Sequence, residues 1–210
     1  RYSHAVEAGR PRERPSDRSR PVFLRPIERK MTMLSTKEAY GSVAVALHWS
    51  IAALIVVALA SGFAADVAGP GGHGALQVHV LAGGLAGVMT IVRLVWWWAF
   101  DSKPARQDGG LKRIAATIVH GLLVLLPLVM LASGIGMMIQ SGALAQLFGG
   151  AAGALPDFEQ IRPRRPHGLG AMLILVLVGV HVAAALYHHL VLRDGRLDRM
   201  RPSRRRAETP

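Results

Sequence analysis

Apolar residues gather into four long runs, roughly 43–65, 76–100, 111–139 and 168–192, separated by polar, glycine-rich or basic stretches. Neither the alternation of a strand nor the single apolar stripe of a soluble helix describes them, because they are apolar on all sides. Each approaches or exceeds the roughly 20 residues that carry a helix across about 30 Å of hydrocarbon. The pattern predicts an all-α membrane protein, an up-down bundle of four transmembrane helices. The first run is read as a span rather than a secretory signal, being too long for an h-region and not followed by a small-x-small cleavage site leading into a soluble domain. Gly69-Pro70-Gly71-Gly72 predicts a tight turn between the first two spans. Pro127 predicts a kink within the third. The longest connection, Ser141–Pro166, carries an apolar stretch of its own, Ala143–Leu155, expected to lie in the interface or cap that end of the bundle.

Charge orients this bundle. The net charge is +12, and its placement is uneven. Ten Lys/Arg precede the first span, four lie in Asp101–Arg113 and seven in Arg193–Arg206. The connection between spans one and two has none, and that between spans three and four has Arg162, Arg164 and Arg165. The positive-inside rule puts both termini and the middle loop in the cytoplasm. Contact with anionic membrane lipid accounts for the basicity. No recognition motif accompanies it, and nucleic acid is not an expected partner. Three regions follow: a basic extension over 1–37, expected to be disordered, a four-span domain over 38–200, and a basic tail over 201–210.

The polar groups inside the spans carry the chemistry. The chain has no cysteine, which excludes disulfides, thiolate metal sites, iron–sulfur clusters and covalent c-type haem. Its soft ligands are nine histidines and eight methionines. His167 and His181 lie fourteen residues apart on the fourth span. At 1.5 Å per residue that is about 21 Å, and fourteen steps of about 100° return to within about 40° of the same direction. One helix thus aims two imidazoles at one side, near opposite membrane faces. Depth then pairs His79 with His167 at the outer end and His48 with His181 at the inner end. Imidazole is costly in hydrocarbon unless something binds it. Two haems, each with two axial histidines, explain four histidines at matched depths. A hydrogen-bond network between helices, or a metal-ion or proton path, is the alternative reading. Gly83, Gly84 and Gly87 after His79, Gly170 after His167 and Gly179 before His181 leave room for a large flat ligand, and equally suit plain helix contacts. His120, at inner depth, is a candidate propionate or quinone contact that competes with His48 as a ligand. His188 and His189 fall at the inner interface. Arg93 and Trp96–Trp98 are expected to anchor the second span there. The methionines, Met130, Met137 and Met138 among them, are read as packing.

The residues Ala46-Leu47-His48-Trp49, His79-Val80-x-x-Gly83, Val92-Arg93-Leu94, His120 with Leu126-Pro127 and Gly134-x-x-Met137, and His167 with His181-Val-Ala-Ala-Ala-Leu-Tyr-His188-His189 resemble the bacterial cytochrome b561 family. That family is related to the cytochrome b subunits of nickel–iron hydrogenase and formate dehydrogenase. The resemblance spans roughly 38–200 and implies a four-helix bundle in the bacterial inner membrane. It implies two non-covalent b haems, the inner on His48 and His181, the outer on His79 and His167. It also implies electron exchange with quinone, ubiquinone in particular. Some members resemble superoxide oxidases, and Arg162, Arg164 and Arg165 then become candidates for attracting superoxide by their local field. No catalytic side chain is assigned. The alternative implied is a membrane anchor and electron conduit for a periplasmic redox partner.

Overall fold

The computed structural model describes residues 33–36, 40–102, 109–150 and 154–200. Most of the 1–37 extension and all of the 201–210 tail lie outside them, as does His4. Four helices are long and apolar enough to cross a membrane. They are α1 (Ser42–Ala68), α2 (His73–Ala99), α3 (Gly110–Ser141) and α5 (Arg164–Tyr187), with a six-residue α4 (Ala143–Phe148) between the last two. A single π turn, His188–Leu192, extends α5. α1 and α3 contain the runs predicted for them, α2 ends one residue short of its run at Ala99, and the run of the fourth span is completed only by the π turn after α5.

Consecutive helices pack antiparallel: α1 on α2, α2 on α3 and α3 on α5. Small residues, Ala44, Ala82, Ala86 and Gly87 among them, take many of the buried positions, so backbones approach closely there. Many large apolar side chains point outward, as Leu81 and Ile139 do at 62% and 73% exposure, which suits acyl chains as solvent. Gly87 belongs to this packing. A Cβ there would sit 2.7 Å from the Leu131 Cβ on α3, so its role is a helix contact rather than room beside His79. α3 continues as a helix through Pro127, which is buried.

The two ends of the bundle are closed differently. At one end Tyr40 N–H donates to the Arg199 carbonyl (3.3 Å) and the Trp49 indole N–H to that of Met200 (3.0 Å). There too the Asp101 carboxylate accepts from Ser35 N–H and Oγ–H and from the Trp96 indole. The segments before α1, between α2 and α3, and after α5 therefore share one face. At the other end α4 folds back over the bundle. Ala143 and Leu147 pack with Met137 and Met138, and Leu76, Leu155 and Phe158 close around them. The apolar stretch Ala143–Leu155 thus caps this end through its first part.

Candidate haem-binding sites

All four paired histidines meet as expected from depth. The His79 and His167 ring centres lie 5.8 Å apart near the α4 end, and those of His48 and His181 lie 6.3 Å apart near the opposite end. Metal–imidazole bonds of about 2.0 Å place trans nitrogens about 4 Å apart and ring centres about 6 Å apart. Both pairs have that spacing. His120 also reaches His181, with ring centres 5.3 Å apart. The inner site is therefore a cluster of three imidazoles, with His181 between two candidates.

Both rings of the outer pair are held through Nδ1. The His79 Nδ1 lies 2.7 Å from the Ala58 carbonyl, which can only accept. Its proton is therefore on Nδ1, leaving the Nε2 lone pair bare. The His167 Nδ1 lies 2.8 Å from Ser133 Oγ, whose own hydrogen points at the Met130 carbonyl 3.1 Å away. The hydroxyl accepts from His167, again leaving Nε2 bare. Partners of this kind fix ring orientation and raise ligand basicity. Ala58 and Gly62 stand one turn apart on α1, and the absence of a Cβ at Gly62 lets the His79 ring lie against the helix: a Cβ would be 2.8 Å from Nδ1. A cavity of about 930 Å³ adjoins the pair, bounded by Gly83, Gly84, Pro127 and Gly134 and continuing to the mouth at Asp66 and Arg164. That is the upper end of the usual range for small-molecule and cofactor sites. Spacing, tautomers and volume together fit a haem.

The inner pair has the spacing but a different electrostatic setting. The Arg93 Nη1 lies 3.1 Å from the His48 Nδ1. A guanidinium only donates, so Nδ1 accepts and the proton of neutral His48 is on Nε2. The Arg93 guanidinium also stacks on Trp97, 4.4 Å from its ring centre. Arg93 thus turns into the bundle instead of snorkelling to the interface, while Trp98, 89% exposed, takes the expected anchoring position.

Among the described residues, no group of three His, Cys, Asp or Glu side chains converges as a bare metal ion would require. A porphyrin supplies four nitrogens itself and asks only two ligands of the protein, a number that the outer pair matches with both Nε2 atoms bare and the inner pair matches in spacing.

The arginines at the outer end differ from one another. Arg164 is tied to two carboxylates, its Nη2 2.8 Å from Asp66 Oδ1 and its Nε 3.2 Å from Glu159 Oε1. Arg162 and Arg165 are exposed, and no ion pair holds them among the described residues. At the inner end, Asp194 accepts from His188 Nδ1 (2.6 Å) and Arg196 Nε (2.7 Å). Partial desolvation pushes its carboxyl up, but the hydrogen bonds from His188 and Arg196 outweigh that and hold it below the usual carboxylate value. His189 shares the π turn with His188.

Sequence reasoning missed Ala58, Gly62, Ser133 and Asp194, and took Arg93 for an anchor. Ala58 acts through a carbonyl and leaves no sequence signal. Gly62 did have one, a small residue one turn from Ala58 at the depth of His79.

The family model for prokaryotic cytochrome b561 matches residues 39–203. The chain is 26% identical over 181 residues to a protein of Yersinia pestis named probable superoxide oxidase CybB, covering 79% of this chain and 97% of that one. It is 30% identical over 175 residues to cytochrome b562 of Cereibacter sphaeroides, covering 80% of this chain and 98% of that protein. This chain belongs to the prokaryotic cytochrome b561 family and is a multi-pass membrane b-type cytochrome of electron transfer.

Proposed function

We propose that this protein is a dihaem cytochrome that carries electrons from the outer face of the bacterial inner membrane to the quinone pool, with superoxide as donor and ubiquinone as acceptor. The observation that carries the reading is the pair of histidine couples, at 5.8 and 6.3 Å, set at two depths of one bundle. Haem b bound at each pair would supply a reversible one-electron iron couple. His79 and His167 would hold the outer one and His48 and His181 the inner one, with the outer rings fixed by Ala58 and Ser133. Both ends of the described chain and the middle loop share the face of His48, and the basic residues assign that face to the cytoplasm.

Two superoxide ions give up one electron each and leave as dioxygen, and one quinone takes two electrons and two protons to become quinol. Arg162 and Arg165 attract the anion to the outer face. His120 and the Asp194-bound His188 stand at the inner face, where imidazole exchanges protons near neutral pH. The relative from Yersinia pestis, named a probable superoxide oxidase, supports the choice of donor.

A second reading, an electron conduit for a periplasmic redox protein, draws on the acidic rim of the outer cavity. There Asp66, Asp157 and Glu159 outnumber Arg164, a surface suited to a basic partner. The test is a dithionite-reduced minus oxidised spectrum with haem per chain from the pyridine haemochrome, followed by superoxide-driven ubiquinone reduction in liposomes. Two b haems and turnover support the first reading. Two haems without turnover favour the conduit, and a haem-free protein produced with adequate haem supply refutes both.

A further inference from the structure

Arg93 is the one Lys or Arg well inside a span whose guanidinium faces the inner histidines, and among the described residues no carboxylate pairs with it. Its Nε is buried and has no hydrogen-bond partner. A cation taken from water into a membrane bundle is costly unless an anion or several acceptors meet it, and Arg93 meets one imidazole nitrogen and one aromatic face, with the Tyr40 phenol as a further polar neighbour. A void of about 20 Å³ is lined by Arg93, Thr90 and Trp97 with the apolar side chains of Ile51, Leu94, Leu123 and Val124, so it offers the guanidinium no anionic partner.

The contact with His48 also conflicts with ligation. While Arg93 donates to Nδ1, the His48 proton sits on Nε2, the atom that must be bare to bind iron. The outer histidines, whose Nδ1 atoms meet acceptors, have no such conflict. For His48 to become a ligand like them, Arg93 must have another acceptor, and its forked donors match a carboxylate best.

We infer that Arg93 binds the carboxylate edge of the inner haem, and that this pairing frees His48 Nδ1 to carry its own proton. The inference rests on the dihaem reading. It makes Arg93 a positioning residue for His48 as well as a binding residue for the haem. A cation beside the haem favours the reduced, more electron-rich state, so Arg93 also raises the midpoint potential of that site.

The test uses the purified holoprotein, with haem counted per chain and a potentiometric titration that resolves the two components. In Arg93→Gln the outer haem is retained, which reports that the chain is folded. The inner haem falls below it in occupancy, and what remains titrates at a lower potential. In Arg93→Lys, which keeps the charge but loses the fork, both haems stay, and the carboxylate bands of the inner haem shift in the redox-difference infrared spectrum. Wild-type occupancy and potentials in Arg93→Gln, or unchanged carboxylate bands in Arg93→Lys, overturn the inference while leaving the dihaem reading intact. A wild-type protein with a single haem overturns both.

Discussion

Gly62→Ala adds one methyl group at the point where α1 meets the His79 ring. The new Cβ would stand 2.8 Å from Nδ1 and 3.0 Å from Cε1, whereas ordinary contact begins near 3.4 Å. The ring must therefore retreat by about 0.6 Å, the difference between 3.4 and 2.8. Its hydrogen bond to the Ala58 carbonyl starts at 2.7 Å, so a retreat along that direction stretches it to about 3.3 Å, past the useful N–H···O range. Overpacking of this kind costs about 1–3 kcal/mol, and leaving the buried N–H unmet adds a similar amount. Mutations that disturb the partner of a ligating histidine lower metal affinity about 10- to 100-fold.

Helix propensity acts the other way, because alanine is preferred to glycine within a helix by about 1 kcal/mol. The opposing terms fall in different places: α1 itself is no weaker, and the loss is concentrated on the His79 ring. Gly62→Ala is therefore expected to fold, insert and keep its inner haem while binding the outer haem at least about tenfold more weakly. Haem titration followed by the pyridine haemochrome measures this. Gly74→Ala, with nothing within 4 Å of its Cβ, is the control. Gly83→Ala separates protein from cofactor, since its Cβ meets only the Ala58 Cβ at 3.9 Å, an ordinary contact. Any loss of outer haem there reports a porphyrin edge in the cavity. Wild-type affinity for the outer haem in Gly62→Ala would refute the assignment of His79 as a ligand held by α1.

Four further changes probe the rest of the machinery. His167→Ala removes the outer haem alone, so haem per chain falls by about half, as expected of one iron per histidine pair; a chain that keeps both haems refutes the outer pairing. Ser133→Ala deprives the His167 Nδ1–H of its acceptor, making the ligand less basic and raising the outer midpoint in a redox titration, and an unchanged midpoint would make that hydrogen bond incidental. Exchanging Arg162 and Arg165 together for Gln slows superoxide-driven reduction about tenfold at low salt and flattens its ionic-strength dependence, whereas unchanged stopped-flow kinetics assign them to anchoring. Asp194 titrates below its unfolded value of 3.8, so its contribution is complete above about pH 4 and is lost as pH falls through the folded value. Asp194→Asn should accordingly abolish an acid-side transition in the environment of His188, followed by the histidine's NMR signals, and a transition that persists would refute the contact.

The fold was legible because hydropathy in a bilayer is nearly a one-dimensional code. An apolar run of sufficient length has one stable conformation there, since every backbone group must be satisfied within the segment. The histidine pairs were legible for the same reason: depth follows from position along a span, and fourteen residues fix both distance and direction between His167 and His181. What stayed hidden acts across helices at one depth. The Ala58 carbonyl is an acceptor whatever residue stands there, so no letter in the sequence marks it. Gly87 and Gly62 are the same residue type with opposite roles, one meeting Leu131 and the other the His79 ring, and only the rotation of the helices separates them. Arg93 next to three tryptophans has the composition of an interfacial anchor, yet its guanidinium turns inward because His48 and Trp97 lie on that side.

The two histidine pairs, alike in spacing, are thus unlike in their surroundings, and the difference bears on the direction of electron flow. At the outer site each Nδ1–H meets a neutral oxygen acceptor, which strengthens the ligand's donation to iron and favours the oxidised state. At the inner site a guanidinium stands within hydrogen-bond distance of one ligand, and a positive charge favours the reduced state. Under the proposed dihaem reading both effects would set the inner site at the higher potential. An electron entering near His167 would then run downhill toward His48, with a polarity that belongs to the bundle's own side chains rather than to the identity of the donor. It also means that Ser133→Ala and Arg93→Gln should each narrow the gap between the two midpoints, the first from below and the second from above. A titration in which either substitution widens the gap would reverse the direction argued for here.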